Sequence, residues 1–246
     1  MLRIFLMSLY LLMFPFAIYH LSMSEILLGL FIGWLCFGIG ISAVLHRYVS
    51  HRSYEFKNKF FKIMSYIIAF MSGLGDPIIW ALVHRQHHRY TDTKLDTQSP
   101  LQIGKFRVFI SAFEIPSGTE YINKQLQQLS SDKLNIFFAK YQILLLILYP
   151  ALLYYFFGLN VFLILVGLSV PMAFVMQGYI NATLHDQPLE DGIYSKNMSG
   201  SLFWFGENLH KFHHIDSKKI SHSKWDLAYY YIMLVGHHKK DLNEKI

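Results

Sequence analysis

Ile26 to Arg52 reads ILLGLFIGWLCFGIGISAVLHRYVSHR: twenty apolar or small residues, then two histidines, two arginines and a tyrosine within seven positions. A helix of about 20 residues rises about 30 Å, the thickness of the bilayer hydrocarbon core. The run carries no charge. It therefore reads as a membrane span that delivers His46 and His51 to one membrane face. On a continuous α-helix, residues five apart splay their rings away from each other. The helix is accordingly expected to end between the two histidines, with His51 on an extended segment.

Three further runs have the same character: residues 2–19, 137–157 and 161–180. The first resembles a signal peptide in its basic Arg3 and apolar body, but Pro15-Phe16-Ala17 is a poor cleavage site. The expected architecture is all-α and integral to the membrane. It has four transmembrane helices in two hairpins, tied by His20 to Glu25 and Gly158 to Asn160. Neither tie holds Lys or Arg, whereas Arg47, Arg52, Lys57, Lys59, Lys62, Arg85, Arg89, Lys211, Lys218, Lys219 and Lys224 fall in the other connections. The positive-inside rule then places both termini, and a helical cap from 46–136 and 181–246, in the cytoplasm. Phe60 to Trp80 is apolar too, but Gly73, Gly75, Asp76 and Pro77 interrupt it, so it reads as a helix lying in the interface or in the cap and not as a fifth span. An amphipathic helix is expected near Gln125 to Leu134. No repeat or linker divides the chain, which reads as one domain over 1–246.

Composition agrees. Of 246 residues 53% are apolar and only 15% charged, where a soluble domain carries about 25%. Aromatics at 17% fit the residues that collect at membrane interfaces. A net charge of +6 in such a chain points to basic cytoplasmic loops and not to nucleic-acid binding. The single cysteine, Cys36, excludes a disulfide framework and a cysteine-rich metal site.

The 13 histidines are not scattered. His84-Arg85-Gln86-His87-His88 and His210-Lys211-Phe212-His213-His214 share the spacing HxxHH. At this histidine content chance gives about 0.04 such patterns per chain, so a pair has odds below roughly one in a thousand. On a helix, residues at i, i+3 and i+4 share a face. His84 can therefore pair with His87 or His88, while the neighbours His87 and His88 point about 100° apart and reach different ions. His210, His213 and His214 repeat the arrangement. Eight imidazoles without a thiolate suit iron, zinc, copper or nickel. Structural zinc closes at four ligands and needs no more. Two ions with open positions favour redox chemistry on O2. His20, His222, His237 and His238 lack partners at ligand spacing and read as exposed or structural.

These segments resemble the membrane acyl-CoA desaturase family of the stearoyl-CoA desaturase type. His46-Arg47-Tyr48-Val49-Ser50-His51-Arg52-Ser53-Tyr54 resembles its first histidine box. Trp80-Ala81, followed by His84 to His88 and Arg89-Tyr90-Thr91-Asp92-Thr93, resembles the second. Gly206-Glu207-Asn208-Leu209 with His210 to His214 resembles the third, and Trp225-Asp226 a segment beyond it. The likeness covers roughly residues 25 to 235. It implies that Asn181 and His185, at the end of the fourth span, belong to the metal site, the His as a ligand and the Asn through a metal-bound water. The implied ligands are His46, His51, His84, His87, His88, His185, His210, His213 and His214. The resemblance further implies two iron ions, O2 as co-substrate, and a long acyl chain in which a cis double bond forms, as acyl-CoA or acyl-lipid and with delta-9 placement. It also implies electrons from a separate donor such as cytochrome b5 or ferredoxin. Asp92, Asp96, Asp186, Glu207 and Asp226 are candidates to hold the far nitrogens of the rings. Trp80, Gln177 and Gly178 are candidate tunnel residues. Arg85, Arg89 and Lys94 are candidates to meet an anionic headgroup or redox partner.

Four places depart from the family: Val83 before the second box, Thr97-Gln98 after Asp96, Gly104 to Arg107, and Gln177-Gly178 at the kink of the acyl path. These bear on headgroup contacts and double-bond position, and leave the metal set complete. Two other classes share features of the pattern. A related di-iron hydroxylase of acyl chains, alkanes or sterols would share the histidine face. A metal transporter or sensor would instead carry ionisable residues within the spans.

Overall fold

The computed structural model describes residues 2–74, 76–111, 120–185 and 195–238. Helix α1 spans Leu2–His20. Helix α2 spans Met23–Leu35 and continues without a break through a π-wound segment, Cys36–Ser50. Ser22 and Glu25 start α2 with a capping box: each side chain takes the other's backbone N–H, so two otherwise unpaired donors are satisfied. A short strand β1 (Tyr54–Phe56) follows, then α3 (Lys59–Met71) and α4 (Pro77–Tyr90). Asp76 caps α4 by accepting from the amides of Ile78 and Ile79, both at 3.0 Å, and Pro77 occupies its first turn.

Two short helices, α5 (Pro100–Ile103) and α6 (Lys105–Ser111), and then α7 (Glu120–Leu129) lead to the long α8 (Lys133–Phe162). The amphipathic helix expected over Gln125 to Leu134 is thus α7, and it ends earlier. The Asp132 side chain accepts from the Leu134 amide and caps a new helix there. Helix α8 runs on through a π-wound stretch, Leu163–Leu168, into α9 (Ser169–Thr183). Gly158, at φ 79°, breaks it in the middle, in a conformation that costs little only for glycine. The rest comprises α10 (Ser201–Trp204), α11 (His210–Ile215), α12 (Leu227–Val235) and strand β2 (Gly236–His238). Strands β1 and β2 pair antiparallel, Tyr54 opposite His238, and pin the end of the described chain beside the first histidine segment. The all-α expectation is corrected to this extent.

Two helices are long and apolar enough to cross a membrane, Met23–Ser50 and Lys133–Thr183, and Ile4–His20 is a shorter apolar helix. They carry large apolar side chains outward: Leu12, Leu27, Phe31, Leu144 and Phe156 are all exposed. Such a surface is unfavourable in water and costs nothing against lipid, as expected of a membrane-associated protein. The Asn160 amide donates to Glu25 at 2.7 Å, so the tie before α2 and the break in α8 meet at one end.

Glycine sets how closely the helices approach. A Cβ on Gly29 would lie 2.7 Å from Leu168, and one on Gly33 would lie 2.6 Å from both Met172 and the Ser169 carbonyl. This four-residue spacing of small residues lets α2 press against Leu168 of the π-wound stretch and the start of α9, whose side chains take the space a Cβ would fill. Gly33→Leu is expected to cost about 1–3 kcal/mol through overpacking. Thermal unfolding in detergent should register the loss, while Leu27→Ala on the outward face leaves the melting point nearly unchanged.

Candidate metal centre

His46 and His51 sit on the π-wound end of α2. The His51 amide bonds to the His46 carbonyl at 3.0 Å, the i to i+5 pattern. Residues five apart then stack one above the other on one face, and the two rings lie 4.9 Å apart. The helix does end before His51, at Ser50, but the expected extended conformation of His51 is corrected. The chain changes its winding before it stops, and His51 is its helical cap and not part of an extended segment.

Helix α4 supplies His84, His87 and His88. Helix α11 supplies His210, His213 and His214, and His185 lies just past the end of α9. The structure sorts these nine into two groups. His46, His51, His84, His88 and His213 form one; His87, His185, His210 and His214 form the other. Within each group the ligand atoms all lie within 4.8 Å of one another. Each HxxHH motif parts its neighbouring rings as its spacing predicts, and the structure settles the pairing that spacing left open: the i and i+4 rings join one group and the i+3 ring joins the other.

The facing nitrogens are Nε2 atoms. His46 meets His213 at 2.9 Å, His51 meets His84 at 2.8 Å, and His88 meets His213 at 2.9 Å. In the second group His185 meets His210 at 2.9 Å, His214 meets His210 at 3.2 Å, and His87 meets His214 at 3.3 Å. Two nitrogens on one ion, at bonds of about 2.0–2.1 Å, lie about 2.9 Å apart at a right angle and about 3.3 Å apart at the tetrahedral angle. The rings are thus spaced as two sets of metal ligands would be, and the groups are able to hold metal.

The far nitrogens explain the orientation. His46 Nδ1 donates to Glu207 at 2.8 Å, His87 Nδ1 to Asp96 at 2.8 Å, and His185 Nδ1 to Asp92 at 2.9 Å. A carboxylate accepts and cannot donate, so each Nδ1 carries the proton and each Nε2 turns its lone pair inward. Asp92 and Asp96 share the turn after α4. Asp96 also accepts from the Asp92 and Gln98 amides, and Asp92 takes the Ser99 hydroxyl. Asp92 itself has a left-handed backbone (φ 59°), a strained arrangement held by these bonds.

Asp226 acts one step further out. It accepts from Arg47 at 2.9 Å, and Arg47 in turn donates to Glu207 at 3.2 Å and to the carbonyls of Phe205 and Ile220. The sequence reading counted Arg47 among the basic loop residues; it is buried at 6% exposure and fastens the C-terminal segment to α2. Ser42, whose hydroxyl also reaches Glu207, carries no signal in the sequence. Arg85 is corrected as well. It is buried and donates to the Val49 and Ser50 carbonyls and to Gln125 and Gln128. Asp186 lies outside the described residues. Asn181 is buried in the last turns of α9, one turn before His185. Trp80 stacks on His84 at 5.1 Å. Gln177 is half-buried, and Gly178 makes room for the Phe109 ring. His20 and His237 are exposed, and His222 and His238 are half-buried outside both groups.

Burial, and then repulsion from neighbouring rings, pushes His51, His84, His88, His210, His213 and His214 well below the ordinary imidazole range. His185 is lowered too, again first by burial. For His87 burial also acts downward, but Asp96 overrides it and raises the ring. Burial would raise Glu207, yet His46, Arg47 and Ser42 outweigh it and hold its carboxyl at about 2. Seven of the nine rings are therefore biased toward the neutral form and Glu207 toward the ionised one, the states that ligation needs.

Comparison with known proteins agrees with this arrangement. The fatty acid desaturase family model matches residues 23–236. The delta-9 acyl-lipid desaturase 1 of Arabidopsis thaliana is 28% identical over 79% of this chain and 67% of its own length. The acyl-CoA C20 delta5-desaturase of Anemone leveillei is 29% identical over 82% of this chain and 70% of its own. The hex-5-enoyl acyl-carrier-protein acetylenase of Moorena producens is 38% identical over 31% of this chain and 24% of its own.

Two outcomes follow from the geometry. Asp226→Ala leaves Arg47 buried with half its charge partners, a change expected to cost about 3–5 kcal/mol in thermal or denaturant unfolding. Seven depressed rings against one raised ring also fix a pH dependence. Below about pH 6.5 the unfolded chain binds protons that the folded chain refuses, so stability falls as pH falls. The melting temperature of chelator-treated protein should drop between about pH 7.5 and pH 5.5.

Proposed function

Because the chain belongs to the fatty acid desaturase family, whose members are oxidoreductases acting on fatty acids, we propose that it is a di-iron, O2-dependent desaturase that introduces a cis double bond into a long acyl chain. The observation that carries this reading is the division of nine imidazoles into two convergent groups. An unactivated methylene is beyond the reach of any side-chain base, and the two iron ions, when bound, supply the oxidising chemistry with O2.

The chain's own residues do the rest. The nine histidines hold the pair, five on one ion and four on the other. The smaller set leaves room for a water held by Asn181. Glu207, Asp92 and Asp96 keep the Nε2 lone pairs aimed. Trp80, packed on His84, and Gln177 and Gly178 on α9 line the path that sets one methylene pair beside the site. The acyl carrier is a CoA thioester or a lipid, and delta-9 is the expected position. The relatives' names include both carriers.

The topology proposed is four spans, near residues 2–19, 26–45, 137–157 and 161–180, in one domain over 1–246 with both termini and the site in the cytoplasm. Its support is the meeting of the two hairpin ties at one end, through Asn160 and Glu25, while the histidines gather at the other.

Expression in a desaturase-deficient host should yield a new unsaturated fatty acid by mass spectrometry, absent in the His213→Ala, His214→Ala double variant. A hydroxylated product would favour the hydroxylase class, and a purified chain without iron would exclude the reading. His84→Ala and His210→Ala should each retain about one iron per chain by elemental analysis, since each opens one group.

A further inference from the structure

Helix α3 turns four apolar side chains outward at i, i+3, i+4 and i+7: Phe60, Ile63, Met64 and Ile67 are all exposed. Helix α12 does the same with Tyr230, Met233 and Leu234. Neither stripe holds a charge. The two helices are joined. The hydroxyls of Ser65 and Tyr231 meet at 2.6 Å, and Lys57 Nζ donates to the Met233 and Leu234 carbonyls, both at 2.9 Å. Neither helix belongs to the four spans proposed above, and in water such a face is unfavourable, so something has to cover it.

Contacts give the depth of each helix. At about 1.5 Å per residue, Gly40 lies about 20 Å and Arg47 about 30 Å beyond Ile26, against a hydrocarbon core about 30 Å thick. Gly40 is therefore within the hydrocarbon and Arg47 at its edge. A Cβ on Gly40 would lie 2.8 Å from both the Ala69 Cα and the Ile68 carbonyl, so α3 reaches hydrocarbon depth. The turn behind α3 sits among the spans: a Cβ on Gly73 would lie 2.5 Å from Val170 of α9 and 2.9 Å from Met7 of α1. Helix α4 then returns to the histidines, so α3 and α4 enter and leave by one face. Their turn is buried at Ser72 to Leu74, as irregular backbone at that depth requires. Helix α12 begins at Asp226, which Arg47 holds at 2.9 Å, and leads into β2, paired with β1 beyond His51. It therefore lies at the edge of the hydrocarbon, level with the metal groups.

The surroundings identify the cover. On its inner side α3 sets Tyr66 and Phe70 against Phe138 of α8, with ring centroids 5.7 and 5.9 Å apart. Phe137 and Tyr141 of α8 are exposed, so the apolar face of α3 continues into that of a span. Cations stand at the ends of both stripes: Lys57 and Lys59 before Phe60, and Lys224 beside the exposed Trp225. Apolar stripes flanked by lysines and an interfacial tryptophan match phospholipid tails and headgroups.

Resting on the four-span topology above, and independent of the chemistry, we propose that α3 and α12 seat the cap on phospholipid. Helix α3 slants into the acyl tails, and α12 lies in the headgroup layer of the leaflet on the histidine side. Asp226 opens α12 and reaches His46 through Arg47 and Glu207, so the seat fixes the height of the metal groups against the bilayer.

The test places single spin labels on the full chain in nanodiscs of phosphatidylcholine and phosphatidylglycerol. Ile63→Cys, Ile67→Cys and Leu234→Cys each carry one label in a Cys36→Ser background; all three side chains are exposed, so the core packing is left alone. Leu144→Cys, on the outer face of α8, marks lipid, and Lys94→Cys, exposed outside the spans, marks water. Power saturation reads collision with oxygen, which concentrates in lipid, and with a nickel chelate, which stays in water. The Ile67 label should match Leu144, with several-fold less nickel contact than Lys94. The Ile63 and Leu234 labels should fall between the two controls.

Nickel contact equal to that of Lys94 at all three positions would overturn the seat, because the face would then be in water. Loss of contact with both reagents would overturn it too, and would assign the face to protein, such as a second copy of the chain. A Leu144 label as open to nickel as Lys94 would sink the four-span reading and the seat with it.

Discussion

Nine imidazoles turn their lone pairs toward one another across gaps of about 3 Å inside the protein, and the rest of the molecule is arranged around that constraint. Buried rings with converging lone pairs repel, and they forgo hydrogen bonds to water. Left to themselves they would rotate away or take up protons. Burial closes the second escape for seven of them by depressing their proton affinity. Carboxylates behind the rings limit the first: Glu207, Asp92 and Asp96 each pin one ring by its far nitrogen.

Holding those carboxylates makes its own demands. Glu207 follows two residues in left-handed backbone, Phe205 and Gly206, and is held by Arg47, whose other partner is Asp226 at the start of α12. Asp92 and Asp96 occupy one turn that a serine, a glutamine and backbone amides keep closed. The network runs from α2 to the last helix. Strands β1 and β2 close the same circuit, and one arginine connects the start of α12, through Glu207, to the ring of His46. A buried charge pair of this kind contributes less to net stability than to fixing one arrangement over its alternatives.

The apolar helices give the site its position. Close approach at Gly29 and Gly33 packs α2 on α9, so His46 and His185, at the ends of these two helices, arrive at the same level. On one side of the rings lie Trp80 and the apolar core; on another a basic cavity opens.

The sequence by itself determined the apolar helices, the break at Gly158, the eight histidines of the three boxes and the parting of the neighbours in each HxxHH motif, because these follow from patterning and from the pitch of a helix; His185 came only from the family resemblance, and which of its two possible partners the first ring of each motif joins was left to the tertiary structure. It also marked Asp92, Asp96 and Glu207 as acids near the boxes. It could not show that α2 continues past His46 with π winding, because i and i+5 share a face only after a change of hydrogen-bond register that no residue type announces. Nor could it assign Arg47 and Arg85, which look like surface cations until distant carbonyls, amides and acids are folded around them. Local periodicity fixes which side of a helix a residue occupies. What that side faces is decided by segments far away in the chain, and only the tertiary structure brings them together.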